Sequence, residues 1–337
     1  MLIFSHNLSN QKQFTIMEKP QVSLIKADSY NLQSLRSSLE NLLEPLGGMA
    51  AFVKAGDRVL LKPNLLTGAR PLKECVTRPE LVYCVAEMVL ELGGKPFIGD
   101  SPAFGSARGV AKNNGYLEFT DKLNIPIQDF NGRRYQVISD DFDHLLLSKE
   151  AMEADVVINL PKIKSHVQLT MTMGVKNLFG CVPGKMKAWW HTEAGKDSKR
   201  FGTMLVETAR TINPNLTIVD GIIGHQGNGP SEGEPKFLGI LGASADVFAL
   251  DRSLVEIVNV DPASIPTIEA SMRLGLCSNL TAINFPLSHP EELKITDWKL
   301  PTNMMAIDFG LPRIIRSTFK HLYIRFIKEP INAYTGK

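Results

Sequence analysis

The sequence of 337 residues has little cysteine and no paired cysteine motif. Its four cysteines (Cys75, Cys84, Cys181 and Cys277) lie far apart, and no CxxC pair occurs. This spacing argues against a structural zinc site, a self-contained iron–sulfur cluster and a disulfide framework. The sequence does not identify a cofactor, and a reducing, cytoplasmic compartment is the simplest location to expect.

Long apolar runs and a strong net charge are missing too. The formal net charge is +2, which is too small to predict nucleic-acid binding, so any attraction for an anion must come from local clustering. The apolar run Met1–Phe4 is too short for a signal-peptide core or a membrane span. We therefore expect residues 1–17 to form a frayed leader ahead of a domain that spans residues 18–300.

Short apolar strands alternate with amphipathic helices along this domain. Asp57–Lys62 is typical of a strand, whereas Asn31–Leu46 and Ser198–Ile212 have apolar residues at helical spacing. Thr77 and Glu80 predict a capping box at the start of another helix. The alternation predicts an α/β fold with mostly parallel sheets flanked by helices, built as one body or as two packed lobes with a central cleft.

Further strands are predicted in the second half of the chain, among them Phe237–Leu241. Leu216–Val219 is typical of a buried strand that ends at Asp220, and glycines predict a loop from there to Pro230. Leu280–Phe285 and Leu293–Trp298 also have strand-like composition.

Polar side chains follow several of these strands where each strand ends. In parallel sheets, ligands bind outside the carboxyl ends of the strands, so we expect these side chains to line one cleft. The candidate ligand-binding residues are Lys62, Asn64, Asp100, Ser101, Lys162, Lys164, Asn177, Lys185 and Asn228. The candidate catalytic residues are His166, Lys176, His191 and Asp220.

The segment Asp155–His191 has the highest density of candidate residues. An apolar strand, Asp155–Leu160, leads into Lys162, Lys164 and His166, which alternate and so share one face of an extended backbone. Three cations side by side repel one another unless an anion lies among them. The pattern predicts an anion site, with a solvated sheet edge as the alternative.

Lys176 lies in an otherwise apolar run, so burial would lower its pKa toward general-base or Schiff-base chemistry. The alternative is a lysine whose amine reaches solvent past apolar neighbours. The glycine-rich residues 180–185 lack the spacing of a P-loop, but their amides would suit an anion beside Lys185. Cys181 is interpreted as a small buried side chain, with a thiolate nucleophile as the alternative.

Three histidines, His166, His191 and His225, together with Asp220, have the side chains of a metal site. No HxH or HxxxH spacing supports a metal, so none is predicted. A histidine oriented by Asp220 would equally serve as a general base.

Residues 301–337 are predicted to form a basic amphipathic helix and a tail. Within Leu311–Lys328, apolar residues follow helical spacing and basic residues share another face. Such a helix would dock on the core of the protein, on a protein partner or on a membrane surface.

Several of these segments occur in the same order in a known family. They are Leu61-Lys62-Pro63-Asn64, Thr77-Arg78-Pro79-Glu80, Gly99-Asp100-Ser101 and the K-x-K-x-H…G-x-K-N-L-F-G core of Asp155–His191. With these segments the chain resembles the DUF362 family, whose activities are largely unassigned. Many members carry a cysteine-rich ferredoxin-type segment that implies redox chemistry, but this chain lacks that segment. The architecture is also loosely similar to the lactate racemase group.

We expect an enzyme that binds a small anionic substrate or cofactor, a carboxylate or a phosphate. Lysines 62, 162, 164 and 185 would hold the anion, and His166 or His191 would transfer protons. Lys176 and Asn177 would polarise a carbonyl or position the ligand, and Asp220 would orient a histidine or a metal. The alternatives are a redox protein that works with a separate cluster-bearing partner and a non-catalytic anion sensor.

Overall fold

A computed structural model describes residues 19–66, 74–103, 105–136, 142, 145–184, 187, 190, 197–230, 232–277, 279–307, 323 and 327. The strands in this part of the chain are β1 (Ser23–Lys26), β2 (Arg58–Pro63), β3 (Lys95–Asp100), β4 (Ile127–Asp129), β5 (Arg134–Gln136), β6 (Leu145–Leu147), β7 (Val156–Leu160), β8 (Lys162–His166), β9 (Thr170–Thr172), β10 (Leu216–Gln226) and β11 (Glu234–Ser244). The α-helices are Leu32–Leu43, Pro79–Glu91, Ala107–Asn113, Leu117–Lys122, Lys149–Met152, Gly174–Asn177, Ser198–Ile212, Val247–Ile257 and Pro266–Arg273.

One mixed sheet forms the centre of the described structure. Its strand order is β1-β11-β10-β7-β2-β3-β4, and β5 and β6 form a separate hairpin. Strands β10, β7, β2, β3 and β4 are parallel to one another, whereas β11 is antiparallel to both β10 and β1. The predicted α/β class with a mostly parallel sheet is confirmed. The carboxyl ends of the parallel strands meet at one edge, which we call the carboxyl edge.

Proline shapes this edge at two adjacent strands. Pro63 ends β2 opposite Leu160 of β7, and Pro161 then interrupts the chain before β8. A proline has no amide proton to donate, so the hydrogen-bonded pairing of β2 with β7 ends here. The chain continues as β8, which pairs in parallel with the far half of β10 and turns back as β9. The β8–β9 hairpin therefore stands beyond the carboxyl edge as a wall.

The predicted loop is wrong between Asp220 and Gln226, because β10 extends from Leu216 to Gln226, with a shift in its pairing with β11 between Gly221 and Ile223. Glycines in this stretch suggested a turn. In the structure β11 pairs with it on one side and β8 on the other, so tertiary pairing overrides the local preference.

Helices cover both faces of the sheet. Leu32–Leu43 buries four leucines on one face together with the helix Pro79–Glu91, and Ser198–Ile212 packs on the other face. The bounds of the helix Ser198–Ile212 agree with the prediction from helical spacing. The capping box at Thr77 is wrong, because Arg78 is the cap residue and makes no side-chain cap. The Thr77 hydroxyl instead donates to the Leu160 carbonyl over 2.7 Å.

The two late strand predictions are also wrong. Leu280–Ala282 and Pro290–Leu293 are 3-10 turns, and the region pairs with the sheet through a bridge between Gln21 and Asn284. Pro286 and Pro290 remove amide donors that a strand would need.

The predicted domain boundary at residue 300 falls within a segment that packs on the fold. The Met305 amide donates to the Val167 carbonyl over 2.7 Å, and Ile307 is buried in the core. The predicted leader at 1–17 and most of the predicted helix Leu311–Lys328 lie outside the described residues. Among the residues described, no helix is long and apolar enough to cross a membrane.

Candidate functional site

Four lysines and one carboxylate gather at the carboxyl edge. We call this group the lysine cluster; it comprises Lys62, Lys164, Lys176, Lys187 and Asp100. Lys62, at the end of β2, is fully buried, and its Nζ lies 3.0 Å from Asp100 Oδ1 at the end of β3. The same Nζ donates to the Pro63 carbonyl over 2.8 Å. The sheet therefore places this ion pair at the floor of the site.

The Asp100 carboxylate also accepts hydrogen bonds from backbone amides. The donors are the Leu65 amide at 2.8 Å and the Ser101 amide at 2.7 Å. Gly180 lies directly against the ion pair, and a methyl group there would approach within 2.5 Å of Lys62 Nζ. A glycine is thus required for the loop after Lys176 to cover this pair.

Ser101 joins the loop after β3 to the segment that carries Lys187. Its hydroxyl accepts from the Gly184 amide over 2.7 Å, and its carbonyl accepts from Lys187 Nζ. Burial lowers the pKa of Lys187 to about 8, with the positive charge of Lys62 acting in the same direction and Asp100 opposing it. The predicted ligand-binding residue Ser101 therefore positions the Lys187 amine beside that of Lys62.

Lys164 points into the site from β8. Its Nζ donates to Asn64 Oδ1 over 2.7 Å and to the Cys75 carbonyl over 3.0 Å, and neither acceptor carries a full charge. Burial lowers the pKa of Lys164 to about 8.

An amide ladder holds the helix of Lys176 against the sheet. Asn64 Nδ2 donates to Asn177 Oδ1 over 3.1 Å, and Asn177 Nδ2 donates to Asn159 Oδ1 over 2.8 Å. Asn159 Nδ2 then donates to the Gly174 carbonyl over 3.1 Å. Because every amide is engaged, the helix Gly174–Asn177 has one fixed position although it is only one turn long.

Lys176 itself has a different environment from the other three lysines. The residue is half-buried, and its ammonium lies 4.4 Å from the centre of the Phe179 ring. Lys187 Nζ lies 5.9 Å from the centre of the same ring. Within the described part of the chain, Lys176 Nζ makes no hydrogen bond or ion pair. Burial, together with the positive charges of Lys187 and Lys164, lowers its pKa to about 7.

The other buried lysine, Lys162, belongs to a neutralised network. Its Nζ lies 3.0 Å from Asp220 Oδ2 and 3.4 Å from Glu74 Oε2. Asp220 Oδ1 accepts from the Tyr30 hydroxyl over 2.6 Å, and its Oδ2 accepts from the Arg78 amide over 2.9 Å. Burial and the Asp220 charge raise the pKa of Tyr30. In the described part of the chain, Lys162 therefore has two carboxylate partners, whereas the four amines of the lysine cluster face one.

A known protein family matches the part of the chain that contains this site. The family described as Domain of unknown function (DUF362) matches residues 59–256. The chain belongs to the DUF362 family. The match includes β2, β3 and β8, which supply Lys62, Asp100 and Lys164.

One curated relative and one solved structure give further context. The thylakoid-associated protein sll1697 of Synechocystis sp. is 67% identical over 316 residues, which is 94% of this chain and 98% of that protein. The lactate racemase apoprotein from Thermoanaerobacterium thermosaccharolyticum superposes with a TM-score of 0.44 at 15% identity. That superposition covers 68% of this chain and 55% of the other, so this chain spans about half of that protein.

Two further predicted site residues of this DUF362 chain, His166 and Asn228, have hydrogen-bond partners outside the lysine cluster. His166 ends β8, and its Nδ1 accepts from the Gln168 amide over 3.1 Å. Asn228 is exposed and accepts hydrogen bonds from Thr302. Lys185 and His191 lie outside the described residues, so their roles stay predictions.

Cys181 is fully buried, as interpreted from the sequence. Burial raises the pKa of its thiol to about 12, which leaves almost no thiolate near neutral pH. His225 is buried too, and its Nε2 accepts from the Gly233 amide over 3.1 Å. Within the described ranges, no group of three or more His, Cys, Asp or Glu side chains is arranged to hold a metal ion.

A surface cavity of about 580 Å³ lies at the opposite edge of the sheet. Arg58, Lys95 and Gln128 line it at the amino ends of the strands, and the Arg58 guanidinium lies 4.3 Å from the centre of the Phe97 ring. Size alone does not make it the better candidate, because it lacks the convergent amines of the carboxyl edge.

Sequence reasoning missed several residues that support the DUF362 site. Asn159 is a polar residue in the middle of an apolar strand, and that local signal marks a buried hydrogen-bonding role. Tyr30 and Glu74 gave no comparable signal, because their contacts with Lys162 come from segments remote in the sequence.

Proposed function

We propose that this chain is an enzyme that binds a small carboxylate or phosphate compound at the lysine cluster. The observation that carries the proposal is the imbalance of charge there: among the described residues, four amines face one carboxylate, and that carboxylate already pairs with Lys62. An anion among the other amines would supply the missing negative charge. The site also lies at the carboxyl edge, where ligands of parallel sheets bind.

The lowered lysine pKa values support an anionic ligand. Burial and mutual repulsion lower the pKa of Lys164, Lys176 and Lys187, and a bound anion would raise all three. Little screening by salt reaches a buried site, so each favourable charge contact would be stronger than on the surface.

Within this proposal the predicted residues have distinct roles. Lys164 and Lys187 hold the anion, and Lys62 is kept in place by Asp100. Lys162 and Asp220 stabilise the wall formed by β8 through their own ion pair. Proton transfer by His166 or His191 remains part of the proposal.

Ligand-induced thermal stabilisation tests the binding step. The protein would be heated with inorganic phosphate, pyruvate or malonate, and with a neutral sugar as a blank. We expect the anions to raise the melting temperature of wild-type protein and of Lys299→Met, which removes a surface lysine. Lys187→Met should lose most of that rise. An equal rise in Lys187→Met would contradict the site.

Mass spectrometry separates an enzyme from a binding module. Native spectra of gently purified protein would reveal a co-purifying anion, which is then returned to the protein at catalytic ratios. Conversion over hours supports an enzyme, and recovery of the unchanged molecule supports a sensor.

For location, we propose a cytoplasmic protein that contacts a membrane peripherally through Leu311–Lys328. The proposal rests on the thylakoid association in the relative's name and on the basic, amphipathic pattern of this segment. Flotation with anionic vesicles would compare the full chain with a variant ending at Ile307. Equal flotation of both would contradict the proposal.

A further inference from the structure

Lys176 has the features of an amine that is available for reaction. In the described structure its three partners in the lysine cluster each donate to an oxygen, whereas Lys176 Nζ contacts the Phe179 ring. The Lys176 residue is partly accessible to solvent in the described structure. The positive charges of Lys187 and Lys164 favour loss of its proton, although the negative charge of Asp100 opposes that loss.

The backbone beneath Lys176 is rigid. The amide ladder fixes Asn177, and the Asp251 carboxylate accepts from the amides of Gly174 and Val175 over 2.7 and 2.9 Å. A nucleophile gains most from being held in one place, since its attack then costs little orientational entropy.

The amine is also neutral often enough to attack. With a pKa of about 7, roughly half of the Lys176 side chains are uncharged at pH 7, whereas an ordinary lysine with a pKa near 10.5 is almost entirely protonated. Desolvated lysines near other cations are the kind that form imines with carbonyl substrates.

We propose that Lys176 forms an imine with a small carbonyl compound that carries a carboxylate or phosphate group. This inference rests on the proposed anion site, because Lys164 and Lys187 would hold the anionic group while the carbonyl carbon faces Lys176. It adds to that site a substrate class and a covalent step.

The step balances without a further reactant. The neutral amine attacks the carbonyl carbon, and the C=O π electrons move to oxygen to give a carbinolamine after proton transfer from nitrogen to oxygen. The Lys187 ammonium then protonates the hydroxyl, which leaves as water while the nitrogen lone pair forms the C=N bond. The product is a protonated imine that carries the positive charge, Lys187 is left as a neutral amine, and no atom is oxidised or reduced overall.

Borohydride reduction tests the step directly. Full-length protein would be incubated at pH 7.5 with pyruvate or with dihydroxyacetone phosphate, and sodium borohydride would then reduce any imine to a stable secondary amine. Lactate and glycerol 3-phosphate are the matched probes that lack a carbonyl. Intact mass measures adducts per chain, and peptide mapping locates them.

We expect about one adduct per chain, at Lys176, with at least one of the two carbonyl probes. The non-carbonyl probes should give none, and neither should Lys176→Arg, which keeps a cation but cannot form the imine. Exposed Lys54 serves as the internal control for unselective labelling. Labelling of Lys54 as extensive as that of Lys176, or no adduct at all, overturns the inference.

A parallel melting measurement separates this inference from the proposed function. If pyruvate stabilises the protein and no adduct forms, the anion site stands and the imine step fails. If neither stabilisation nor an adduct is seen, both fail. Lys176→Arg must melt cooperatively and still respond to phosphate, which shows that its missing adduct is not due to unfolding.

Discussion

The Asp251 carboxylate accepts a hydrogen bond of 2.7 Å from the amide of Gly174, two residues before Lys176. Asp251 is 1% exposed, and burial raises its pKa to about 7 even though the Gly174 and Val175 amides act in the opposite direction. A titrating carboxylate thus holds the start of the short helix that carries Lys176.

Asp251 should make the stability of the protein depend on pH. The folded protein retains this proton up to about pH 7, whereas the unfolded chain releases it near 3.8. Folding therefore takes up a proton between those values, and this contribution to stability falls as the pH rises from about 4 to about 7. Relative to wild type, Asp251→Asn should gain about 2–3 kcal/mol between pH 5 and pH 8. Urea unfolding at both pH values measures this, and a constant difference between the two proteins would contradict it.

Lys162 and Lys176 should respond in opposite ways to the same substitution. Lys162→Met leaves Asp220 buried without its ammonium partner, so we expect a loss of about 3–5 kcal/mol in the free energy of unfolding. Lys176→Met removes a desolvated amine with no carboxylate partner in the described structure, so stability should be unchanged or higher. Urea unfolding compares the two variants. A similar loss in both would show that Lys176 has a structural charge partner.

The effect of a substitution at Gly180 on stability should depend on the adjacent ion pair of Lys62 and Asp100. A side chain at this position would overlap Lys62 and Asp100, so Gly180→Ala should destabilise the protein by about 2–4 kcal/mol. A double-mutant cycle with Lys62→Met isolates the cause, because the shorter neutral side chain relieves part of the overlap. We expect the double variant to lose clearly less than the sum of the single losses. Additive losses would place the strain elsewhere.

Much of the scaffold was predictable because local patterns determine it. The helix Ser198–Ile212 and the strand before Lys162 were identified by apolar spacing, and parallel-sheet geometry placed Lys62 and Asp100 at one edge. The extension of β10 was not predictable, because its strand character comes from partners on both sides.

The different partners of the neighbouring lysines Lys162 and Lys164 could not be predicted from the sequence and are seen only in the structure. Alternation along β8 places Lys162 and Lys164 on one face, but it does not say which of them meets a carboxylate. Asp220 and Glu74 reach Lys162 from segments far away in the sequence, and Lys164 meets Asn64 and a carbonyl instead. The burial of Lys176, in contrast, followed from its apolar neighbours.

Proton-linked calorimetry tests the anion site most directly. Inorganic phosphate would be titrated into the protein at pH 8 in two buffers of different ionisation enthalpy, which reports the protons exchanged on binding. At this pH the lowered pKa values leave the cluster partly deprotonated, and a bound anion raises them. We predict binding with net proton uptake in wild type and in Lys299→Met, an affinity that falls from pH 7 to pH 9, and loss of both signals in Lys187→Met. Binding without proton uptake, or unchanged binding in Lys187→Met, would contradict the account.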